Sequence, residues 1–444
     1  MSDQHLKAQS LGWTQVAALG VAIVVAGQFV GWNYGLALGG WGGMFIATLL
    51  MAVMYLGLTQ SLAELSSAIP SAGGFYTYGR LAFGPFVGFL AGLSVLIALT
   101  IGAGIALEFV VAYSQSVLGL GGWPLKLGLI TAVIAVHIRG VGEAMGLTFV
   151  IGAVAVIILL AFMGVMAPHV EAAHLFNLTT GKPGAFLPHG ISGILACVPF
   201  AVWLFLGVEQ AALASEEAID PARTMPRGLV AAILTLMVTG LGVLLTAAGA
   251  GGSEEIKTAA DPLYMAMTSP LAYGPGFWAA KLIGIGALMA LLATVFCLIY
   301  SASRQLFALA RDHHLPPILA TTGKRGTPYV ALLAIAITGY PVSFAQPDQI
   351  LVLVVLLLNL TYVIVLAAFI RLRITSPELQ RPYRAFGGVA LASVSILLSA
   401  VVLWSCFQIN GHILTATAIV FALFIAYFLL APRRLARDEV LSKS

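Results

Sequence analysis

Charge is what this sequence has least of: Asp, Glu, Lys and Arg make up 9% of its 444 residues, against 60% hydrophobic residues and a mean hydropathy of +1.01. Soluble globular domains carry about 25% charged residues, so an ordinary water-facing surface is excluded and a polytopic membrane protein is implied. Cysteine is nearly absent too. Cys197, Cys297 and Cys406 each stand alone in an apolar stretch, which excludes a disulfide framework and a Cys-x-x-Cys metal or redox motif. No GxSxG, HExxH or Walker pattern occurs. The longest gaps between apolar runs, 168–189 and 251–276, are too short for a soluble domain. An enzyme is therefore not expected, nor a cofactor, and without an ATP-binding module any transport must draw on a gradient or on exchange. The net charge of +4 does not point to nucleic acid, whose binding needs a contiguous basic surface.

What is present in abundance is apolar runs of the length that spans about 30 Å of hydrocarbon. They fall at roughly 13–38, 42–67, 85–116, 124–138, 145–167, 190–214, 226–250, 277–309, 328–345, 349–371, 386–408 and 412–431. Lys and Arg in the connections set orientation. With the N-terminus inside, 17 of the 21 fall on the inner side, and only Lys126, Lys182, Lys257 and Lys281 fall outside. That asymmetry supports an even number of spans and both termini in the cytoplasm. Met1–Ser10 is polar and shows no cleavable-signal pattern. The expected fold class is an all-α membrane protein of twelve transmembrane helices forming one domain over 1–444.

Two runs break the apolar rule. The first contains Gly27, Gln28, Gly31, Asn33 and Gly35; the sixth contains Pro199, Gly207, Glu209 and Gln210. Non-helical backbone at membrane depth is tolerated only where it is buried in protein or lines a cavity. Interrupted segments at corresponding places in two halves point to inverted repeats with a binding site near the midplane. A five-plus-five inverted repeat with discontinuous helices 1 and 6 follows, the repeats covering about 13–167 and 190–371 and two further helices about 386–431. Gly27, Gly31 and Gly35 also suit a small-residue stripe for close helix packing; Gln28 and Asn33 beside them favour a site. Glu209 is the sharpest single residue. An acid at a helix centre costs at least about 2.5 kcal/mol on the insertion scale and usually faces a pathway. It is the candidate for exchanging a proton or answering a substrate ammonium. Trp203, a turn before Gly207, is placed to close over a cation or an apolar group. Glu64 and Glu108, near span ends, read as structural or gating, and His137 reads as interfacial. His313 and His314 lack further ligands nearby, so no metal site is expected.

Three stretches resemble the amino acid, polyamine and organocation permease superfamily. They are Pro70–Arg80 through Gly84-Pro85, Gly207-Val208-Glu209 followed by Ser215–Arg227, and Ser303-Arg304 with Ala310-Arg311-Asp312 and Leu315-Pro316. Gly31–Leu36 and Ile194–Glu209 are most similar to its ethanolamine permease branch, which often has an acid where this chain has Gln28. The resemblance implies a secondary transporter for a small amino acid or an amino alcohol such as ethanolamine, working by alternating access, with protons as the candidate coupling ion. A facilitator or exchanger for amino acids or polyamines, or a membrane sensor, are the alternatives. It further implies a backbone site at Ala26, Gly27 and Gln28, a span 6 site at Trp203, Phe205, Gly207 and Glu209, and a span 3 wall near Ala98, Leu99 and Ala103. Some proton-coupled members carry a Lys in span 5, and this chain has none there.

Overall fold

The computed structural model describes residues 11–430 apart from 72, 140–141, 313, 324–326 and 408–410, and excludes the side chains of 142–149 and 413. Ala72 and His313 lie outside the described set, as do both chain ends and seven of the Lys and Arg counted on the inner side: Lys7, Lys324, Arg325, Arg433, Arg434, Arg437 and Lys443.

The apolar runs fold as helices because a helix satisfies its own backbone polar groups where no water is at hand. In chain order they are α1 (Trp13–Phe29), α2 (Tyr34–Ala68), α3 (Gly74–Phe83), α4 (Pro85–Leu118), α5 (Gly122–Arg139), α6 (Gly142–Met166), α7 (Gly190–Trp203), α8 (Pro221–Gly251), α9 (Trp278–Arg311), α10 (Tyr329–Val342), α11 (Pro347–Thr375), α12 (Gly388–Cys406) and α13 (Gly411–Leu430). A 3₁₀ segment, Val208–Glu217, follows α7, and shorter helical pieces fill the connections. No strand occurs among the described residues beyond one isolated bridge between Leu11 and Ala218.

Eight helical segments are long and apolar enough to cross a membrane, and three shorter apolar helices accompany them. The difference from the twelve runs has physical causes. α1 stops after 17 residues, and the remainder of its run joins the second run in one trace that kinks at Gly40, with φ 70° and ψ −179°. α10 has 14 residues. α5 carries Lys126, His137 and Arg139 in its length. α3, amphipathic and ten residues long, lies in what the sequence reads as a loop.

The core is built around α4 and α11, whose apolar windows are each 78% buried. α4 packs on α9 and α11, while α2 packs on α7 and α8. Polar side chains tie the ends together. Glu108 on α4 pairs with Lys126 of α5, whose Nζ also donates to the Ser343 carbonyl at 2.5 Å beyond the end of α10. His137, near the end of α5, is buried within the protein: its Nδ1–H donates to the Val133 carbonyl at 2.7 Å and its ring lies against Phe296, while its Nε2 has no hydrogen-bond partner among the described residues.

Glu64, near the Ala68 end of α2, is the hub of the largest such cluster. Its carboxylate accepts from Arg373 Nε at 2.9 Å and Nη2 at 2.5 Å, from the Ala385 N–H at 2.7 Å, and pairs with Arg381 at 3.2 Å. One turn earlier Gln60 Oε1 accepts from Tyr383 Oη and the Phe386 N–H. The connection from α11 to α12 is thereby buttoned onto α2. Removing one partner of a buried ion pair costs about 3–5 kcal/mol. Arg373 is 24% exposed and retains access to water, so Glu64→Gln is expected to cost about 2 kcal/mol, read as a lowered thermal midpoint in detergent. An unchanged midpoint would mean the arginines find equal partners elsewhere.

Candidate functional site

The two interrupted runs unwind. Helix α1 ends at Phe29, residues 30–33 form turns, and Gly31 takes φ 89°, a conformation that favours glycine. The unwound backbone therefore begins after the backbone site that the resemblance implies, and Ala26, Gly27 and Gln28 form the last turn of α1. The final four carbonyls of a helix have no partner within it. Trp32 Nε1 donates to the Gln28 carbonyl at 3.0 Å and Tyr113 Oη to that of Phe29 at 3.0 Å. Ala26 and Gly27 reach the cavity described below. Asn33 holds the far side: its Oδ1 accepts the Gly31 N–H at 3.2 Å, and its Nδ2 donates to the carbonyls of Ile256 and Ala259. That anchoring segment is itself braced by Glu254. Burial pushes the Glu254 carboxyl up, but hydrogen bonds from Lys257 and Thr179 outweigh it and hold the group below the usual carboxylate range.

Helix α7 ends at Trp203, Leu204–Gly207 are turns, and Gly207 has φ 110°. A ten-residue 3₁₀ segment follows, long for a form rarely exceeding four residues and often found at hinges. Glu209 sits just after the break and is fully buried. Its carboxylate accepts the Gly207 N–H at 3.0 Å and Gln210 Nε2 at 3.4 Å. Tyr362 of α11 stands beside it, and Tyr55 Oη of α2 donates to Tyr362 Oη at 3.3 Å.

Both breaks face one cavity of about 70 Å³, room for several waters or a solute of a few heavy atoms. Ala26 and Gly27 line it from α1, Ala98 and Leu99 from α4, and Trp203, Gly207 and Glu209 from the second break. Three other residues singled out from sequence stand back from it. Gln28 is buried with its Nε2 donating to the carbonyls of Leu204 and Leu236, both at 3.1 Å, so it clamps freed backbone of the second break. Phe205 packs on Tyr55. Ala103 is buried one position off the lining, because the helical repeat carries the α4 wall from Ala98 to Gly102 and Ala106. That period was the available signal for Gly102 and Ala106. Leu291, Thr294 and Leu298 of α9 and Val354 and Leu358 of α11 also line the cavity; they look like ordinary membrane-helix residues, and nothing local marks them.

Gly27 and Gly31 have a second use. A Cβ at Gly27 would come within 3.2 Å of Trp203 Nε1 and the Trp203 carbonyl oxygen, and one at Gly31 within 2.8 Å of the same indole nitrogen. The glycines seat Trp203, whose Nε1 is buried with no hydrogen-bond partner among the described residues. Among the described residues no cluster of His, Cys, Asp and Glu is arranged to hold a metal.

Comparison with known proteins agrees with this architecture. An uncharacterized transporter of Rhizobium meliloti is 31% identical over 314 residues, covering 69% of this chain and 66% of that protein. The chain thus matches just under two thirds of that relative's length. The branched-chain amino acid permease BcaP of Bacillus subtilis is 24% identical, with 89% of this chain and 87% of that protein covered. The methylthioribose transporter of the same species is 24% identical, with 91% and 89% covered. The family model described as amino acid permease matches residues 11–432. The chain belongs to that family, a branch of the amino acid, polyamine and organocation superfamily.

Proposed function

We propose that this protein is a secondary transporter that moves a small amino acid or amino alcohol across the cytoplasmic membrane by alternating access. In this reading twelve membrane helices are arranged as a five-plus-five inverted repeat with both termini inside. The two broken helices move against a scaffold that includes α4 and α9. The observation that carries it is a cavity bounded by both breaks, with a buried carboxylate at its edge. Helix C-terminal carbonyls bear partial negative charge, so the end of α1 and Glu209 suit a substrate ammonium. The unpartnered Trp203 indole N–H suits a carboxylate oxygen, which favours an amino acid over ethanolamine. Gln28 spends its Nε2 on backbone carbonyls and does not line the cavity, so it supplies neither. Glu209 is assigned the proton-linked role because no other cavity-lining residue titrates.

Uptake of radiolabelled alanine, leucine and ethanolamine into proteoliposomes tests this. Saturable uptake that is accelerated by unlabelled substrate inside the vesicle is expected for at least one of them. Linear, non-saturating flux without countertransport would make the protein a channel-like facilitator. A bound substrate at a hundredfold excess over its Kd is expected to add about 2.7 kcal/mol of stability, readable as a thermal shift of the purified protein.

A further inference from the structure

We infer that the cavity takes an uncharged aliphatic side chain, and that Gly102 on α4 sets how large that side chain can be. This rests on the reading of the cavity as the substrate site. The polar groups of the cavity belong to the two breaks. Away from them the walls present Gly102 and Ala106 of α4, Leu291 and Leu298 of α9, and Val354 of α11. The one hydroxyl there, Thr294 Oγ1, already donates to the Ala290 carbonyl at 3.1 Å. An ionised substrate side chain pushed against these walls meets no counter-charge and no unused donor, so it is rejected. A hydrocarbon side chain meets what it needs.

Gly102 is distinguished from the other α4 glycines by what surrounds it. At Gly104, two residues on, an added Cβ would fall 2.8 Å from Val342 Cβ and closer still to the Gly339 carbonyl oxygen. There the missing side chain lets α4 and α10 meet. At Gly92 an added Cβ would fall 2.9 Å from Gln305 Nε2 and 3.2 Å from Leu309 Cδ2. At Gly102 it would meet only Leu298 Cδ1, at 3.9 Å, an ordinary contact across the cavity. Helix packing does not require glycine at 102, and a helix interior prefers alanine. What the glycine provides is space beside the substrate.

The test is uptake by proteoliposomes of radiolabelled alanine, leucine and ethanolamine, with lysine and glutamate as competitors, for the unaltered protein, Gly102→Ala and Leu298→Ala. One methylene more or less in an apolar pocket changes discrimination by roughly 10–200-fold. Gly102→Ala is therefore expected to lower the leucine-to-alanine ratio of kcat/KM about tenfold or more. Leu298→Ala, which opens the same place, is expected to raise it and keeps the test in force if the other variant does not fold. Lysine and glutamate are expected not to compete at a hundredfold excess. Uptake that persists in both variants with an unchanged ratio, or full competition by lysine, overturns the inference and leaves the transport reading standing. Uptake of ethanolamine but of neither amino acid does the same. Absence of uptake for every probe overturns both.

Discussion

Glu209→Gln is expected to flatten the pH dependence of substrate uptake in proteoliposomes and to lower its maximal rate about tenfold, equivalent to 1.4 kcal/mol in the barrier. Glu209 is fully buried, and among the residues lining the cavity it alone can gain or lose a proton. The Gly207 N–H and Gln210 Nε2 donate to its carboxylate, and the hydrogen-bonded Tyr55–Tyr362 hydroxyl pair stands beside it. Gln has the same shape and can still accept the Gly207 N–H through its oxygen, so the break is retained. What it cannot do is exchange a proton or supply a full negative charge to an ammonium. The measurement is initial uptake rate against pH for both proteins, with the same pH on both sides of the vesicle. A variant whose profile tracks the unaltered protein at every pH removes Glu209 from the coupling step. A variant that is pH-independent but inactive assigns it to substrate binding as well.

How much of this was legible beforehand follows from where each signal resides. Composition and run length declare a helical membrane protein, because the hydrocarbon interior leaves the backbone few options. The breaks announce themselves through Gly31, Asn33, Pro199, Gly207 and Glu209, residue types that a plain membrane helix would not carry at that depth. The jobs of the polar residues beside them are not legible, because a backbone clamp and a ligand contact use the same chemistry. Gln28 and Asn33 were expected at a site. Their amides instead hold the carbonyls of Leu204, Leu236, Ile256 and Ala259, which are far away in sequence and become partners only through the fold. The cavity walls from α9 and α11 were invisible for a related reason: Leu298 or Val354 facing a cavity is the same residue as one facing lipid. Only on α4 was a signal at hand: the helical period counted from Ala98 reaches Gly102 and Ala106, where the resemblance pointed to Ala103 instead.

The close crossing of α2 and α7 is the second place where a small change is expected to act strongly. Gly27, Gly31 and Gly35 invite a packing stripe, yet the tightest helix contact in this region uses Gly39 and Gly43 against Gly193 and Cys197. A Cβ at Gly39 would lie 2.8 Å from the Gly193 carbonyl carbon and nearer still to the Gly193 oxygen and Cys197 Sγ. Backbone opposes backbone, so no rotamer change relieves the clash and the helices must separate. A Cβ at Gly43, one turn on, would meet nothing closer than Cys197 Sγ at 3.4 Å. Without a hydrophobic driving force between helices in lipid, such close approach of small residues is what holds them together. Overpacking of a well-packed contact costs about 1–3 kcal/mol. Gly39→Ala is expected at about 3 kcal/mol, the top of that range, and Gly43→Ala at well under 1 kcal/mol, compared by thermal unfolding in one detergent. Transport is expected to fall with Gly39→Ala too. The Cys197 thiol donates to the Gly35 carbonyl at 3.1 Å, and α7 runs directly from Cys197 to Trp203 and the second break. Pushing α7 outward thus moves Trp203 off its seat on Gly27 and Gly31. Equal stability of the two alanine variants would show that the helices yield at this crossing, and the rigid register between the two breaks would then have to come from the Gln28 clamp instead.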